Sequence, residues 1–426
     1  MPAYNRFQLA LPQLQSLDNV SEVDDVPEFE FILVDHPSDG IPHVIDTPAA
    51  LADAVAALRT AHGPVALDAE RASGFRYSAR AYLIQLRREG AGTFLIDPTA
   101  FDNLNDIQAA LDGVEWILHA ASQDLICLAM EGLHPTTALY DTELAGRLLG
   151  FPRVALSSLT EAELGITLAK EHSAADWSTR PLPAEWLNYA ALDVEFLIPL
   201  WESLKNKLVA ANRYDIALQE FAHVVAATVI TDRVDPWRRT SQLHRVKKPA
   251  ELAIVRELWI HRDQIAQERD VAPGRLLPDA GIVALALGTA RTAREISQLP
   301  ELANRSARRH TQLWVEVLET ARALPESEWP PARVKASGPP AVRNWAQKNP
   351  TAFEHLEAVR AQLAVIAEEM NIAVEHLITP DVMRRIVWEQ PQDESTIERM
   401  FNEFLVRQWQ REVVMPILRA VLLTAN

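Results

Sequence analysis

The apolar periodicity of this chain changes kind about 240 residues in, which restricts the fold to a composite one. From about 40 to 240, the runs VALDAE (65–70), AYLIQLRR (81–88), TFLIDP (93–98) and EWILHA (115–120) read as strands, with helical stretches between and after them. Three strands close together, then strands separated by helices, predict a mixed sheet flanked by helices. From about 249 the strand signals vanish. ELAIVRELWIHRDQIAQE (251–268) and AFEHLEAVRAQLAVIAEEM (352–370) carry the period of long helices instead. ARALPESEWPPARVKASGPP (321–340), rich in proline and small polar residues, reads as a linker that splits the helical part in two. Val271-Ala272 with Leu276-Leu277 recurs as Ile372-Ala373 with Leu377-Ile378, each after a long helix and close to a Pro-Asp pair, which points to duplication. The expected units are an acidic arm over 1–40, an α/β domain over 41–240, and all-α domains over 249–325 and 338–426.

A chain of 426 residues exceeds what one core ordinarily organises, in keeping with several domains. The only cysteine, Cys127, rules out an intramolecular disulfide framework and a cysteine-ligated zinc site, so a reducing compartment is expected. No stretch approaches the ~20 apolar residues of a membrane span, and the N-terminus lacks a basic start with a long apolar run. A cytoplasmic location without a membrane partner is the expectation. The formal net charge of −17 opposes general binding of polyanions. Basic residues are nevertheless grouped: Arg233, Arg238, Arg239, Arg245, Lys247 and Lys248 surround one connector, and Arg305, Arg308 and Arg309 form a second cluster.

Asp68 and Glu70 directly follow the apolar run Val65-Ala66-Leu67. Side chains two apart on a strand share a face, so both carboxylates can point at one spot, where they repel unless a cation sits between them. Asp124 follows a strand-like run in HAASQDLICLAMEGL (119–133), where Ser122 can cap a helix and Asp124 falls in its first turn. Tyr189 and Asp193, four apart in the helical PAEWLNYAALDVEFLIPLW (183–201), lie on one helix face. Taken singly, each has an ordinary structural explanation: a solvated strand end, an acid favoured by the helix dipole, a half-buried aromatic.

Together and in order, VALDAE, HAASQDL, YDTELAGRLLG (140–150) and DWSTRPLPAEWLNYAALDV (176–194) resemble the three exonuclease motifs of the ribonuclease D family, within the DEDD superfamily. The helical region from 250 resembles the helicase-and-ribonuclease-D C-terminal (HRDC) domain, and tyrosine at 189 matches the tyrosine branch. The resemblance implies a ribonuclease H-like α/β domain followed by helical HRDC-type domains. It further implies a 3′-5′ exoribonuclease that uses two divalent ions, Mg2+ or Mn2+, and releases nucleoside 5′-monophosphates from single-stranded RNA 3′ ends, such as those of transfer RNA precursors or other stable RNA. Asp68, Glu70 and Asp193 would hold one ion. Asp68 would share a second with Asp124, and Tyr189 would position the attacking water. Ala69, where the family often has threonine, should point to the opposite strand face.

Several other residues carry expectations. His119 reads as structural rather than as a general base, and Asp141 as a helix N-cap. Asp176 and Arg180 resemble family positions near the active site, and Arg180 either meets a phosphate or forms an ordinary salt bridge. Arg238, Arg239, Arg245, Lys247 and Lys248 are candidate RNA contacts. Trp259, Trp314 and Trp345 could stack on bases but fit a helical core better. Two rivals remain, a DNA 3′-5′ exonuclease with the same motifs and a nucleic-acid-binding scaffold that has lost turnover.

Overall fold

The structure, a computed structural model, describes residues 31–168, 175–228, 234–302, 305–333 and 338–423. The arm over 1–30, Arg233 and the side chain of Arg305 lie outside the described residues. The α/β part contains β1 (Ile32–Val34), β2 (Val44–Ile45), β3 (His62–Arg71), β4 (Ala81–Glu89), β5 (Gly92–Ile96), β6 (Trp116–Leu118), β7 (Leu139–Asp141) and β8 (Ile166–Leu168). Its helices are α1 (Pro48–Thr60), α2 (Asn105–Leu111), α3 (Asp124–Met130), α4 (Thr142–Leu148), α5 (Leu156–Leu164), α6 (Ala184–Glu195), α7 (Leu197–Ala210) and α8 (Tyr214–Ala227). Six strands form one mixed sheet in the order β2-β5-β4-β3-β6-β7, and β1 pairs with β8 in a separate parallel ribbon.

The strand alternation of β3 and β4 sorts their side chains between two helical layers. Leu67, Ala69, Ile84 and Leu86 pack into one core with Val55 and Leu58 of α1, Ile107 of α2 and Leu125 of α3. Ala66 faces the other way, into the core that includes Leu197, Leu200 and Leu204 of α7 and Phe221 of α8. Asp68 and Glu70 have the parity of Ala66 and therefore lie on the α6 and α7 side. Residues 32–39, assigned from sequence to the arm, are attached to the α/β domain. β1 pairs with β8, Asn188 donates to the Asp35 carbonyl at 2.7 Å, and Ser38 N–H donates to Glu195 at 3.0 Å.

The remaining chain is helical: α9 (Pro249–Arg269), α10 (Pro273–Leu276), α11 (Asp279–Leu287), α12 (Ala293–Ser297), α13 (Arg305–Arg308) and α14 (Thr311–Ala323), then α15 (Trp345–Lys348), α16 (Pro350–Glu369), α17 (Val374–Leu377), α18 (Pro380–Glu389), α19 (Glu394–Glu403) and α20 (Gln408–Leu418). Each half has its own core, one around Trp314 and one around Phe401. The short sequence repeat corresponds to a repeated structure. Both α9 and α16 are followed by a left-handed residue, Asp270 at φ 46° and Asn371 at φ 48°, and then by a one-turn helix and a longer one.

Each of these left-handed corners meets the α/β domain. The Asp270 carboxylate accepts from the backbone of Tyr77 at 3.2 Å and Ser78 at 3.0 Å and from the Tyr82 hydroxyl at 3.3 Å. On the other side, Arg213 reaches from the start of α8 to the Met370 carbonyl at 2.5 Å. Arg407 clamps Glu220 of α8 through two bonds of 2.7 and 2.8 Å, and the Trp409 indole donates to the same carboxylate at 2.6 Å. Both side chains of the ion pair are largely buried. Removing one member of such a pair strands a charge at a cost of about 3–5 kcal/mol. Arg407→Ala is therefore expected to lower the urea midpoint by an amount corresponding to about 3 kcal/mol or more. An unchanged midpoint would remove this clamp from the account of how the last domain is held.

Candidate active site

Asp68 and Glu70 project from the carboxyl-terminal half of β3, Asp193 comes from the last turns of α6, and Asp124 opens α3 just beyond β6. Carboxylate oxygens of Asp68, Glu70 and Asp193 lie within 4.8 Å of one another. Asp124 stands outside that group of three, and its largest electrostatic neighbour is Asp68. Burial dominates the chemistry of all four. It pushes the Glu70 and Asp193 carboxyls well above the usual range, with further upward pushes from neighbouring acids. Asp124 is pushed up to about 8 by burial and then by Asp68. Asp68 is also raised by burial, against the lowering effects of the Ala69 N–H and of Arg71. The protein itself thus leaves the ionised forms of these acids largely uncompensated, which favours their protonated forms in the absence of a cation. The donors of the site are carboxylate oxygens without histidine or thiolate, a hard set that fits a divalent cation of the oxygen-seeking kind.

The surrounding residues hold this set in place. Tyr189 is hydrogen-bonded to Asp193, and burial together with Asp193, Glu70 and Asp68 keeps its phenol protonated far beyond neutral pH. It can therefore donate a hydrogen bond in the site but not act as a base there. Asp141 is the N-cap expected from the sequence, accepting from Glu143 N–H at 2.9 Å and Leu144 N–H at 3.1 Å. It also accepts from Ala120 N–H at 3.1 Å and Ala121 N–H at 2.9 Å. Ala120 has φ 57°, an uncommon conformation for a residue with a Cβ, and Asp141 pins it in the turn that delivers Asp124. Ser122 is not the cap of α3. Gln123 occupies that position and makes no side-chain cap bond. His119 hydrogen-bonds Thr142 Oγ1 through Nδ1 at 2.9 Å, and burial lowers its pKa to about 4, so it remains a neutral structural ring.

Arg180 is not placed to meet a phosphate. Its guanidinium bonds both Asp97 oxygens, at 2.5 and 2.7 Å, and also donates to the carbonyls of Trp177, Thr179 and Tyr82. These partners use the whole donor fork, so the salt-bridge alternative is the one the structure supports. Asp176 accepts from the Ser178 hydroxyl at 2.6 Å in a local turn. Arg238 is engaged with Asp235 at 3.0 Å and the Pro331 carbonyl at 3.2 Å, whereas Arg239, Arg245, Lys247 and Lys248 are exposed. Of these, Arg245 bonds Gln242 and Lys248 bonds Glu251. Trp314 and Trp345 are fully buried and offer no stacking face, and the partly buried Trp259 packs against the first helical core. A residue that the motifs did not single out is Gln85, a fully buried amide opposite Asp68 on β4. Its signal in the sequence is a single polar residue inside the apolar run AYLIQL.

Comparison with known proteins places these features in a family context. Models described as "3′-5′ exonuclease", "HRDC domain" and "3′ to 5′ exonuclease C-terminal domain" match residues 42–209, 251–318 and 338–422, respectively. A ribonuclease D of Jannaschia sp. is 30% identical over 78% of this chain and 85% of its own length. The crystal structure of a protein from Bifidobacterium adolescentis superposes with a TM-score of 0.85 at 37% identity, covering 92% of this chain and 100% of that one. Escherichia coli RNase D shares the fold with a TM-score of 0.63 at 24% identity, over 85% of this chain and 99% of that one. No helix among the described residues is long and apolar enough to cross a membrane.

The raised carboxyls make stability depend on pH in a defined direction. A free aspartate titrates at ~3.9. A folded value of about 8 for Asp124 therefore means that the native state keeps a proton the unfolded chain has released. That contribution is complete below the unfolded value and is lost as pH rises to about 8. His119 acts oppositely, but only below its ordinary value of 6.5. Between pH 6.5 and 8, EDTA-treated protein should therefore show a falling melting temperature, and Asp124→Asn should flatten the fall. A divalent cation should raise the melting temperature more at the upper end of this window. Thermal scans across buffers test this, and a wild-type melting temperature that rises with pH would contradict the account.

Proposed function

This chain belongs to the ribonuclease D family of 3′-5′ exoribonucleases, and from that premise we propose that Asp68, Glu70, Asp124 and Asp193 form its metal-dependent active site. The observation that carries the proposal is the close group of buried, mutually repelling carboxylates of Asp68, Glu70 and Asp193. Asp68, Glu70 and Asp193 would hold one cation, Mg2+ or Mn2+, and Asp68 with Asp124 a second. When bound, such cations supply a nucleophilic water at neutral pH and neutralise the charge that builds on the leaving 3′ oxygen. The residues then have separable tasks. Asp193 accepts the Tyr189 hydrogen bond, and the protonated phenol orients the attacking water towards the terminal phosphodiester. Asp141 keeps the β6–α3 turn, and with it Asp124, at a fixed distance from Asp68. The product is a nucleoside 5′-monophosphate, and the chain shortens from its 3′ end.

The natural substrate is proposed to be the 3′ end of transfer RNA precursors or other stable RNA. The description of the Escherichia coli relative as an exoribonuclease involved in structured RNA processing supports that class. The presence of acids at all four positions and the naming of the relatives disfavour both the DNA exonuclease and the non-catalytic scaffold. The exposed residues Arg239, Arg245 and Lys247 are proposed to contact the RNA backbone beyond the reactive end.

Two experiments test these assignments. Incubation of 5′-labelled single-stranded RNA with Mg2+ should give a ladder that shortens from the 3′ end. EDTA should abolish it, and Asp193→Asn should slow it by more than about a hundredfold. Persistence of the ladder in that variant would remove Asp193 from the site. Separately, combined replacement of Arg239, Arg245 and Lys247 by alanine should weaken RNA binding. It should also flatten the slope of log affinity against log salt by about 0.7 for each phosphate that is no longer neutralised. An unchanged slope would move the RNA-binding surface elsewhere.

A further inference from the structure

Gln85 occupies the centre of β4, in a row of buried apolar residues that includes Leu83, Ile84 and Leu86. Its side chain is 0% exposed, yet neither Nε2 nor Oε1 has a hydrogen-bond partner among the described residues. A buried primary amide with both ends unmet is unfavourable, and a leucine would serve better there if packing were the only demand.

The strand register shows what stands beside it. Gln85 pairs directly with Asp68 on antiparallel β3, and directly opposed residues share a face with Cβ atoms about 4.5–5.5 Å apart. On its other side Gln85 opposes Leu95 of β5, whose buried side chain offers nothing to bond. The next cross-strand pair along the same face joins Glu70 to Leu83. On the opposite side along the same face Ala66 pairs with Arg87, whose guanidinium is engaged by Thr93 and Asp39. The remaining polar groups of this row are the carboxylates of Asp68 and Glu70. An amide offers a donor to a carboxylate oxygen and an acceptor to a water, without adding charge to an already anionic site.

We propose that Gln85 is a positioning residue of the exonuclease site. Nε2 donates to Asp68, directly or through one water, in the cation-loaded enzyme, and so fixes which Asp68 oxygen faces the cation. The inference rests on the reading that Asp68, Glu70 and Asp193 hold a divalent ion. Hydrogen bonds to liganding side chains from such outer partners typically change metal affinity by about 10–100-fold.

The test compares the full-length wild type with Gln85→Leu and Gln85→Met. Methionine keeps the length and flexibility of glutamine in case the branched leucine does not fit. Mn2+ titration calorimetry, melting temperature in EDTA and RNA hydrolysis under multiple turnover are measured on each. The expected result is an unchanged or higher melting temperature without metal, Mn2+ affinity weaker by about tenfold or more, and a lower kcat at unchanged KM for RNA. If a folded variant binds Mn2+ and turns over like the wild type, Gln85 is only a core amide and the inference falls. Loss of Mn2+ affinity that merely follows a lowered metal-free melting temperature would overturn it as well. If the wild type itself binds no Mn2+, the failure lies with the metal reading of the carboxylates, and the Gln85 inference falls with it.

Discussion

Four carboxyl groups buried near one another cannot all ionise without a cation, and much of the architecture around them acts to hold them together despite that repulsion. β3 fixes Asp68 and Glu70 by strand alternation, α6 brings Asp193 over the same face, and Asp124 arrives on a turn held in an uncommon conformation by Asp141. Burial raises the energy of the ionised acids, so the free energy of binding a divalent ion would offset an unfavourable term built in on folding. The same burial keeps the Tyr189 phenol protonated, so that its O–H donates to Asp193 and its oxygen can accept from a water. Stability is given up at the place where metal binding would recover it.

That arrangement needs rigid neighbours, and the rest of the chain supplies them in a repeated manner. The α9 and α16 halves of the helical region each present a left-handed corner to the α/β domain: Asp270 meets the segment between β3 and β4, and the Met370-Asn371 corner meets α8. The first of these contacts braces the connection out of β3, which carries two of the acids. The second is reinforced by Arg407, Trp409 and Glu220. The two helical halves thus dock through similar corners on two different surfaces, with an acid at one and the Met370 backbone carbonyl at the other.

The long strands are legible in the sequence because β3 and β4 are buried on both faces or alternate cleanly, and three-residue β6 is legible through its fully buried apolar run Trp116-Ile117-Leu118, whereas β1, β2, β7 and β8, with at most three residues each, are not. Such short runs carry too little period to stand out from loop. The four acids are legible as an ordered set rather than singly, and the helix geometry that brings Tyr189 next to Asp193 follows from their spacing of four. Other features depend on partners distant in sequence. Arg180 looks available for a phosphate because nothing local reveals that Asp97 and the Tyr82 carbonyl occupy it. The second role of Asp141 requires knowing that the turn at Ala120 folds back onto it. Gln85 is visible as an oddity, but its register against Asp68 is not.

The whole-molecule charge raises a question that the site geometry helps to answer. A chain of net charge −17 repels a polyanion at long range, and the active-site carboxylates add to that repulsion where the scissile phosphate must lie. Divalent cations at those carboxylates would reverse the local sign, so the same ions that enable hydrolysis would also admit the phosphate. The approaching strand must then be held by basic groups far enough away to be independent of the metal. Arg180 cannot do this, because its fork is committed to Asp97 and three carbonyls. Exposed groups such as Arg239 and Lys247, proposed above as the RNA contacts, would act through salt-sensitive interactions. Metal loading and ionic strength should therefore control separate parts of recognition, the first at the reactive phosphate and the second along the strand behind it.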